Sequence, residues 1–151
     1  MTLEIDSTTI EFIRIHRVAR LATANAEGQP TVVPVCYVFD NANVYTPIDE
    51  KPKSVQPSSL QRVRNIEVNP TVALVIDDYS EDWNQLVYVL VRGTAEIVSP
   101  VGDAVEHARA VALLREKYPQ YRSMELEERP IIKIKPERIK RWAPADKLRA
   151  Q

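Results

Sequence analysis

The sequence predicts a mainly β protein, an antiparallel barrel with peripheral helices. Two observations carry that expectation. Short apolar strand patterns follow one another across tight turn signals, "AEGQP" and "DNAN", which leave no room for parallel crossovers. Helical patterns fall between groups of strands rather than between every pair, giving the order helix, three strands, helix, two strands, helix, two short strands. Closure into a barrel follows naturally, because it removes exposed sheet edges. The 151 residues suit one domain, and no repeat, low-complexity tract or linker divides them, so residues 1–151 read as a single unit.

The first helix is expected to begin near Thr8, where Thr8 and Glu11 have capping-box spacing. Ile10, Ile13 and Arg17 then share one side, with Phe12 and Ile15 flanking. "VARLATANAEGQPTVVPVCYVFDNANVYTPI" reads as three strands and two turns. In the middle strand Val33, Val35, Tyr37 and Phe39 share one face, and Val32, Pro34, Cys36 and Val38 the other. Both faces are apolar, which predicts burial on both sides, although Pro34 lacks an N–H and suggests an edge or a bulge.

"SSLQRVRNIEVNP" predicts a short helix, with Ser58 and Gln61 as a second capping box and Asn69-Pro70 as the stop. "TVALVIDD" is a fourth strand, and "YSEDWNQ" a polar loop holding Trp83. "LVYVLVRGTAEIV" is a long fifth strand. Val87, Val89, Val91, Gly93, Ala95 and Ile97 form its apolar face, against Tyr88, Arg92, Thr94 and Glu96 on the other. "PVGDAVEHARAVALLREKYP" predicts a helix packed through Val101, Val105, Ala108 and Ala112. "PIIKIKPERIKRWAP" reads as a strand broken at Pro136, followed by a second short strand ending at Trp142.

Composition removes several function classes. Basic and acidic residues number 20 and 21, so no global field favours nucleic acid or anionic lipid. No basic stripe with interleaved aromatics is present, and no apolar run is long enough to span a bilayer, so neither nucleic acid nor membrane is an expected partner. The N-terminus lacks a signal-peptide pattern, and the single cysteine, Cys36, precludes an internal disulfide. Both features suit a cytoplasmic protein. Neither a GxGxxG nor a Walker loop occurs among only three glycines. One cysteine and two histidines make a Cys/His zinc site a poor expectation, and no metal site is assigned. His16 and His107 fall on predicted helices and read as surface or boundary residues, and Cys36 as core packing. The acidic loop 77–83 reads as a solvated turn rather than a cation site, whereas Trp83 within it could pack on the barrel or on a ligand ring.

The basic group around "TPIDEKPK" is the more specific signal. Lys51 and Lys53 leave the third strand, and Arg62 and Arg64 lie in the first turns of the next helix, whose N-terminus favours anions. Such convergence could hold a phosphate without high net charge, and a solvated turn with lysines is the alternative.

In their order and spacing, "RLATANAEGQPTVVPVCYVFD", "NVYTPID", "LQRVRNIEVNPTVALVID" and "LVYVLVRGTAEIV" resemble the pyridoxamine 5'-phosphate oxidase-like, FMN-binding split-barrel superfamily. The variants "DEKPK", "YSEDW" and "PERIKRW" are most similar to the branch that uses the deazaflavin coenzyme F420. The longer basic FMN-phosphate motif and the paired arginines of true pyridoxamine phosphate oxidases are not found here. The resemblance implies a split β-barrel and a homodimer with F420, or alternatively FMN, at the interface. It also implies hydride transfer to or from a small conjugated substrate. Val33, Pro34 and Val35 would border the ring through backbone contacts, and Thr46, Pro47 and Ile48 would line the adjoining strand. Lys51, Lys53, Arg62 and Arg64 would hold phosphate, and Trp83 and Trp142 would close the pocket, from the other subunit in one arrangement. A non-catalytic carrier of flavin, deazaflavin or haem is the rival on the same fold.

Overall fold

The computed structural model describes residues 3–48 and 60–144. It contains α1 (Ser7–Ile15), β1 (Ala19–Ala24), β2 (Pro30–Val35), β3 (Val38–Phe39) and β4 (Val44–Pro47). These are followed by α2 (Gln61–Val68), β5 (Thr71–Asp78), β6 (Val87–Val98), α3 (Ala104–Lys117) and β7 (Ile131–Trp142). All seven strands form one curled antiparallel sheet in the order β2-β1-β5-β6-β7-β4-β3. Its two edge strands, β2 and β3, are consecutive in the chain, and only Cys36 and Tyr37 separate them. The chain itself, not a hydrogen-bonded ladder, therefore bridges the two edges. This is the expected antiparallel barrel with its split.

Alternation places the core. Val33, Val35, Tyr37 and Phe39 keep one face across the seam and pack into the barrel interior with Leu21, Leu74, Ile76, Val89, Val91 and Ile134. The opposite face is not uniformly buried. Cys36 and Val38 lie under α3 in a second cluster, but Val32 is 61% exposed and Pro34 is exposed. Burial on both sides therefore holds only past the seam, because α3 covers that half alone, and Pro34 stands on an edge strand.

The β6 alternation is realised, with Val87, Val89, Val91, Gly93 and Ala95 facing in. By contrast β7 is one strand of 12 residues and does not break at Pro136. Its register against β6 shifts there, Gly93 facing Pro136 and Arg92 facing Arg138, so Glu137 is the extra residue of a bulge. Gly93 permits this. A Cβ at that position would lie 2.0 Å from the Lys135 carbonyl oxygen.

Three helical details differ from expectation. The N-cap of α1 is Asp6, whose Oδ1 accepts the Thr9 N–H at 2.7 Å, and not Thr8. In α2, Leu60 occupies the cap position with no side-chain bond, and Ser58 lies outside the described residues. Helix α3 buries His107, Ala110, Val111 and Leu114, while Val101 and Val105 are 89% and 86% exposed. The buried stripe thus runs one turn-face away from the small-residue stripe, because the larger side chains offer more apolar area to the sheet. His107 is buried rather than at the surface, with Nε2 donating to the Arg129 carbonyl at 2.6 Å.

Candidate functional site

Among the residues singled out in the sequence, Thr46–Ile48 and Trp142 mark two groups, at opposite ends of β7. The first gathers at the seam. Continuing the β3–β4 register, in which Val38 faces Tyr45 and Phe39 faces Val44, brings Thr46 opposite Tyr37 and Ile48 opposite Val35, where the ladder has stopped. Val35 and Ile48 are both buried in the barrel core, together with Val63 and Ile66 of α2. The end of β4 and the body of α2 therefore converge, and residues 49–59 connect them. Lys51 and Lys53 lie outside the described residues.

Within this group the Thr46 hydroxyl is distinctive. Thr46 is 1% exposed, and its Oγ1 has no hydrogen-bond partner among the described residues. A buried, unsatisfied hydroxyl costs about 1–3 kcal/mol, so a polar group that reached it would recover stability. Pro47 is buried beside it, where it pairs with Ile131. Arg62 is half-buried and already engaged in an interaction. Arg64 is exposed and donates to Gln61 Oε1 at 2.6 Å.

A polar relay missed by the sequence reading anchors that helix. Gln61 Nε2 donates to Asn65 Oδ1 at 2.7 Å, and Asn65 Nδ2 donates to Thr23 Oγ1 at 2.9 Å. Asn65 and Thr23 are both buried, so α2 is pinned to β1 by a hydrogen bond in an otherwise apolar core. An asparagine inside a short amphipathic helix is the signal that could have pointed to it.

The seam holds a second polar group. Lys117 Nζ lies 2.5 Å from the His16 carbonyl oxygen and 3.1 Å from that of Tyr37, and 4.0 Å from the Tyr37 ring centre. The Tyr118 hydroxyl accepts the Tyr37 N–H at 3.0 Å and lies 2.7 and 2.8 Å from the carbonyls of Arg17 and Tyr37. Burial, helped by the nearby Arg17 charge, brings the Lys117 pKa down from 10.5 to about 8. Burial pushes Tyr118 up to about 12 and Tyr37 higher still. These groups take up the backbone polar atoms that the broken ladder leaves without partners.

The second group lies at the far end. Trp142 faces Tyr88 across the β6–β7 ladder, and the rings stack at 5.7 Å. With Asp77, Asp78, Tyr79, Leu86 and Val87 they line a hollow of about 280 Å³. Trp83, on a 3-10 turn over Trp83–Gln85, is 70% exposed and does not pack on its own barrel. Because Pro47 pairs with Ile131 and Tyr88 with Trp142, nearly the whole of β7, roughly 36 Å of extended chain, separates Thr46–Ile48 from Trp142. Among the described residues, Thr46–Ile48 and Trp142 do not line a common pocket.

Three of the four acids in 77–83 are engaged. Asp77 pairs with Arg20 at 2.9 Å, Asp78 with His16 Nε2 at 2.8 Å, and Asp82 caps the 3-10 turn. No cluster of metal-ligating side chains occurs among the described residues. His16 also bonds the Phe12 carbonyl at 2.7 Å and so closes α1. No described helix is long and apolar enough to cross a membrane.

The described residues thus form a split antiparallel barrel with a broken-ladder seam, a buried unpartnered hydroxyl and a remote aromatic pair. The chain belongs to the pyridoxamine 5'-phosphate oxidase family, whose model matches residues 5–143. It is 28% identical over 134 residues to the 5a,11a-dehydrotetracycline/5a,11a-dehydrooxytetracycline reductase of Streptomyces rimosus, covering 88% of this chain and 79% of that protein. Among solved structures, a conserved hypothetical protein of Mycobacterium tuberculosis superposes with a TM-score of 0.72 at 22% identity, over 93% of this chain and 86% of that one. An F420 reductase superposes with a TM-score of 0.61 at 22% identity, over 91% of this chain and 98% of that one. Both share the split-barrel fold.

Proposed function

We propose that this chain is a cytoplasmic oxidoreductase that binds coenzyme F420, with FMN as the alternative, at an interface between two copies. It would pass hydride to or from a small conjugated organic substrate. The observation that carries the reading is the separation of the two residue groups along β7. Seam residues of one copy and the Tyr88–Trp142 pair of another would complete a slot that neither copy holds alone. Family membership and the similarity to a reductase support hydride chemistry over simple carriage.

The residues present fit such a group. Thr46 Oγ1 would donate its proton to a ring or phosphate oxygen and lose its desolvation penalty. On the open side of edge strand β2, Pro34 would offer a flat ring its carbonyl and its exposed apolar face, with Val33 and Val35 flanking it. Lys51 and Lys53, with Arg62 and Arg64 at the start of α2, would neutralise a phosphate. Trp83, exposed and unpacked, and Trp142 would cover the slot and exclude water. The bound cofactor supplies the hydride chemistry, and the chain supplies position and electrostatics.

The test is titration of purified apo-protein with oxidised F420 and with FMN, followed by absorbance and tryptophan fluorescence. The expected result is micromolar binding of F420 in preference to FMN, followed by reduction of an enone or quinone acceptor. Binding of neither cofactor would overturn the reading. Binding without turnover, or a haem Soret band in the protein as purified, would move it to the carrier class.

A further inference from the structure

We propose a separate anion-binding site on the outward face of β6 and β7, formed by Arg92, Arg138 and Lys140 and floored by Tyr88 and Leu90. These five residues line one hollow of about 150 Å³. Arg92 and Arg138 stand directly opposite each other in the ladder, and Lys140 stands opposite Leu90, one pair along the same face. Like charges placed directly across a strand pair destabilise a sheet, and here a third cation adds to the repulsion.

Nearby carboxylates do not relieve it. Glu96, on the same face of β6, lies 3.7 Å from Lys133 and 3.3 Å from Lys135. The other acid facing that group, Glu106, is held by Lys133 at 2.7 Å. The side chains of Arg92, Arg138 and Lys140 make no hydrogen bond or ion pair with another described residue. Neighbouring cations on the same sheet are thus matched, and these three are not. The bulge at Glu137 keeps Arg138 on the outward face beside Arg92 after the register shift.

Two forked guanidiniums and an ammonium around one hollow suit a small anion carrying two or more charges, a phosphate ester or a polycarboxylate, held by charge-assisted hydrogen bonds. The adjoining Tyr88 ring gives such a ligand an apolar surface for its carbon skeleton. The site borders the slot proposed for the cofactor and shares Tyr88 with it, but its three cations are not among the groups proposed to hold F420 or FMN, so the arginine and lysine variants below test the two readings apart.

The experiment uses the full chain, with pyrophosphate and citrate as separate probes, and reads backbone amide shifts by NMR together with thermal melting. Saturable shifts are expected at residues 88–92 and 138–142, weakening as salt rises, together with a higher melting temperature on binding. The stronger of the two probes tells phosphate from carboxylate preference. Arg138→Gln is expected to lower affinity at least about tenfold. It should also raise the melting temperature of the anion-free protein, because the cross-strand repulsion is gone, and Arg92→Gln should do the same. A Lys51→Ala/Lys53→Ala double variant should keep the shifts at β6 and β7. Shifts confined elsewhere, no saturation with either probe, or unchanged affinity in both arginine variants would overturn the proposal.

Discussion

Asn65 and Lys117 carry the consequences that belong to single residues. Removing the Asn65 amide leaves Thr23 Oγ1 without its buried donor and frees α2 from β1. Asn65→Ala should therefore cost about 1–3 kcal/mol in urea denaturation, while Asn65→Asp, which cannot donate once ionised, should do no better. Lys117 sets a pH dependence. Its folded pKa of about 8 lies below the unfolded value of 10.5, so the unfolded chain binds the extra proton and stability rises as pH climbs from about 8. Tyr37 and Tyr118 act in the opposite sense above about 10, since burial keeps them neutral in the fold while the unfolded tyrosines ionise. Denaturation midpoints should rise between pH 8 and 10 in the native protein and stay flat over that range in Lys117→Met. Residue roles of this kind were barely legible in the sequence. The basic group at the start of α2 stood out because its charges are close in the chain, whereas Lys117 meets Tyr37 and His16 only after α3 has docked.

Elements were far easier to read than their partners. Alternation in β6 and the helical period of α1, α2 and α3 are local, and each appears where the sequence placed it. What failed was non-local. Pro136 looks like a strand breaker until Gly93 stands opposite and lets the backbones close together. The buried stripe of α3 depends on which side chains the sheet can accept, and Val101 and Val105 lie beyond its reach. The bulge in the β6–β7 ladder accordingly depends on the missing side chain at Gly93. Gly93→Ala would force a Cβ to within 2.0 Å of the Lys135 carbonyl oxygen, so the bulge must shift or the strands separate. A loss of about 3 kcal/mol or more is expected, together with faster amide exchange at Pro136's neighbours, Lys135 and Glu137. A smaller loss would mean that the bulge can migrate.

At the scale of the whole molecule, the split barrel was legible because turn spacing and strand alternation leave few alternatives. The candidate site was legible as a set of residues but not as a place, since its members lie at both ends of β7. If two copies complete each slot, defects at the two ends should complement. Trp142→Ala and Lys51→Ala/Lys53→Ala should each abolish most cofactor binding alone. Mixed and reassembled in equal amounts, they should regain about a quarter of the native binding capacity, because half the dimers are mixed and each mixed dimer has one intact slot. No recovery on mixing would place both groups in a slot within one copy. The open side of β2 has a different consequence, for solubility in crowded conditions. A strand whose outer side carries no ladder invites other chains to add to it and grow into aggregates. Pro30 and Pro34 stand along that strand, and neither has an N–H to offer an incoming strand. They act as interruptions in the template, so a chain that met this edge could not form a continuous ladder. Replacing both with threonine should leave the fold intact and make concentrated solutions scatter light on gentle heating, through association begun at this one strand.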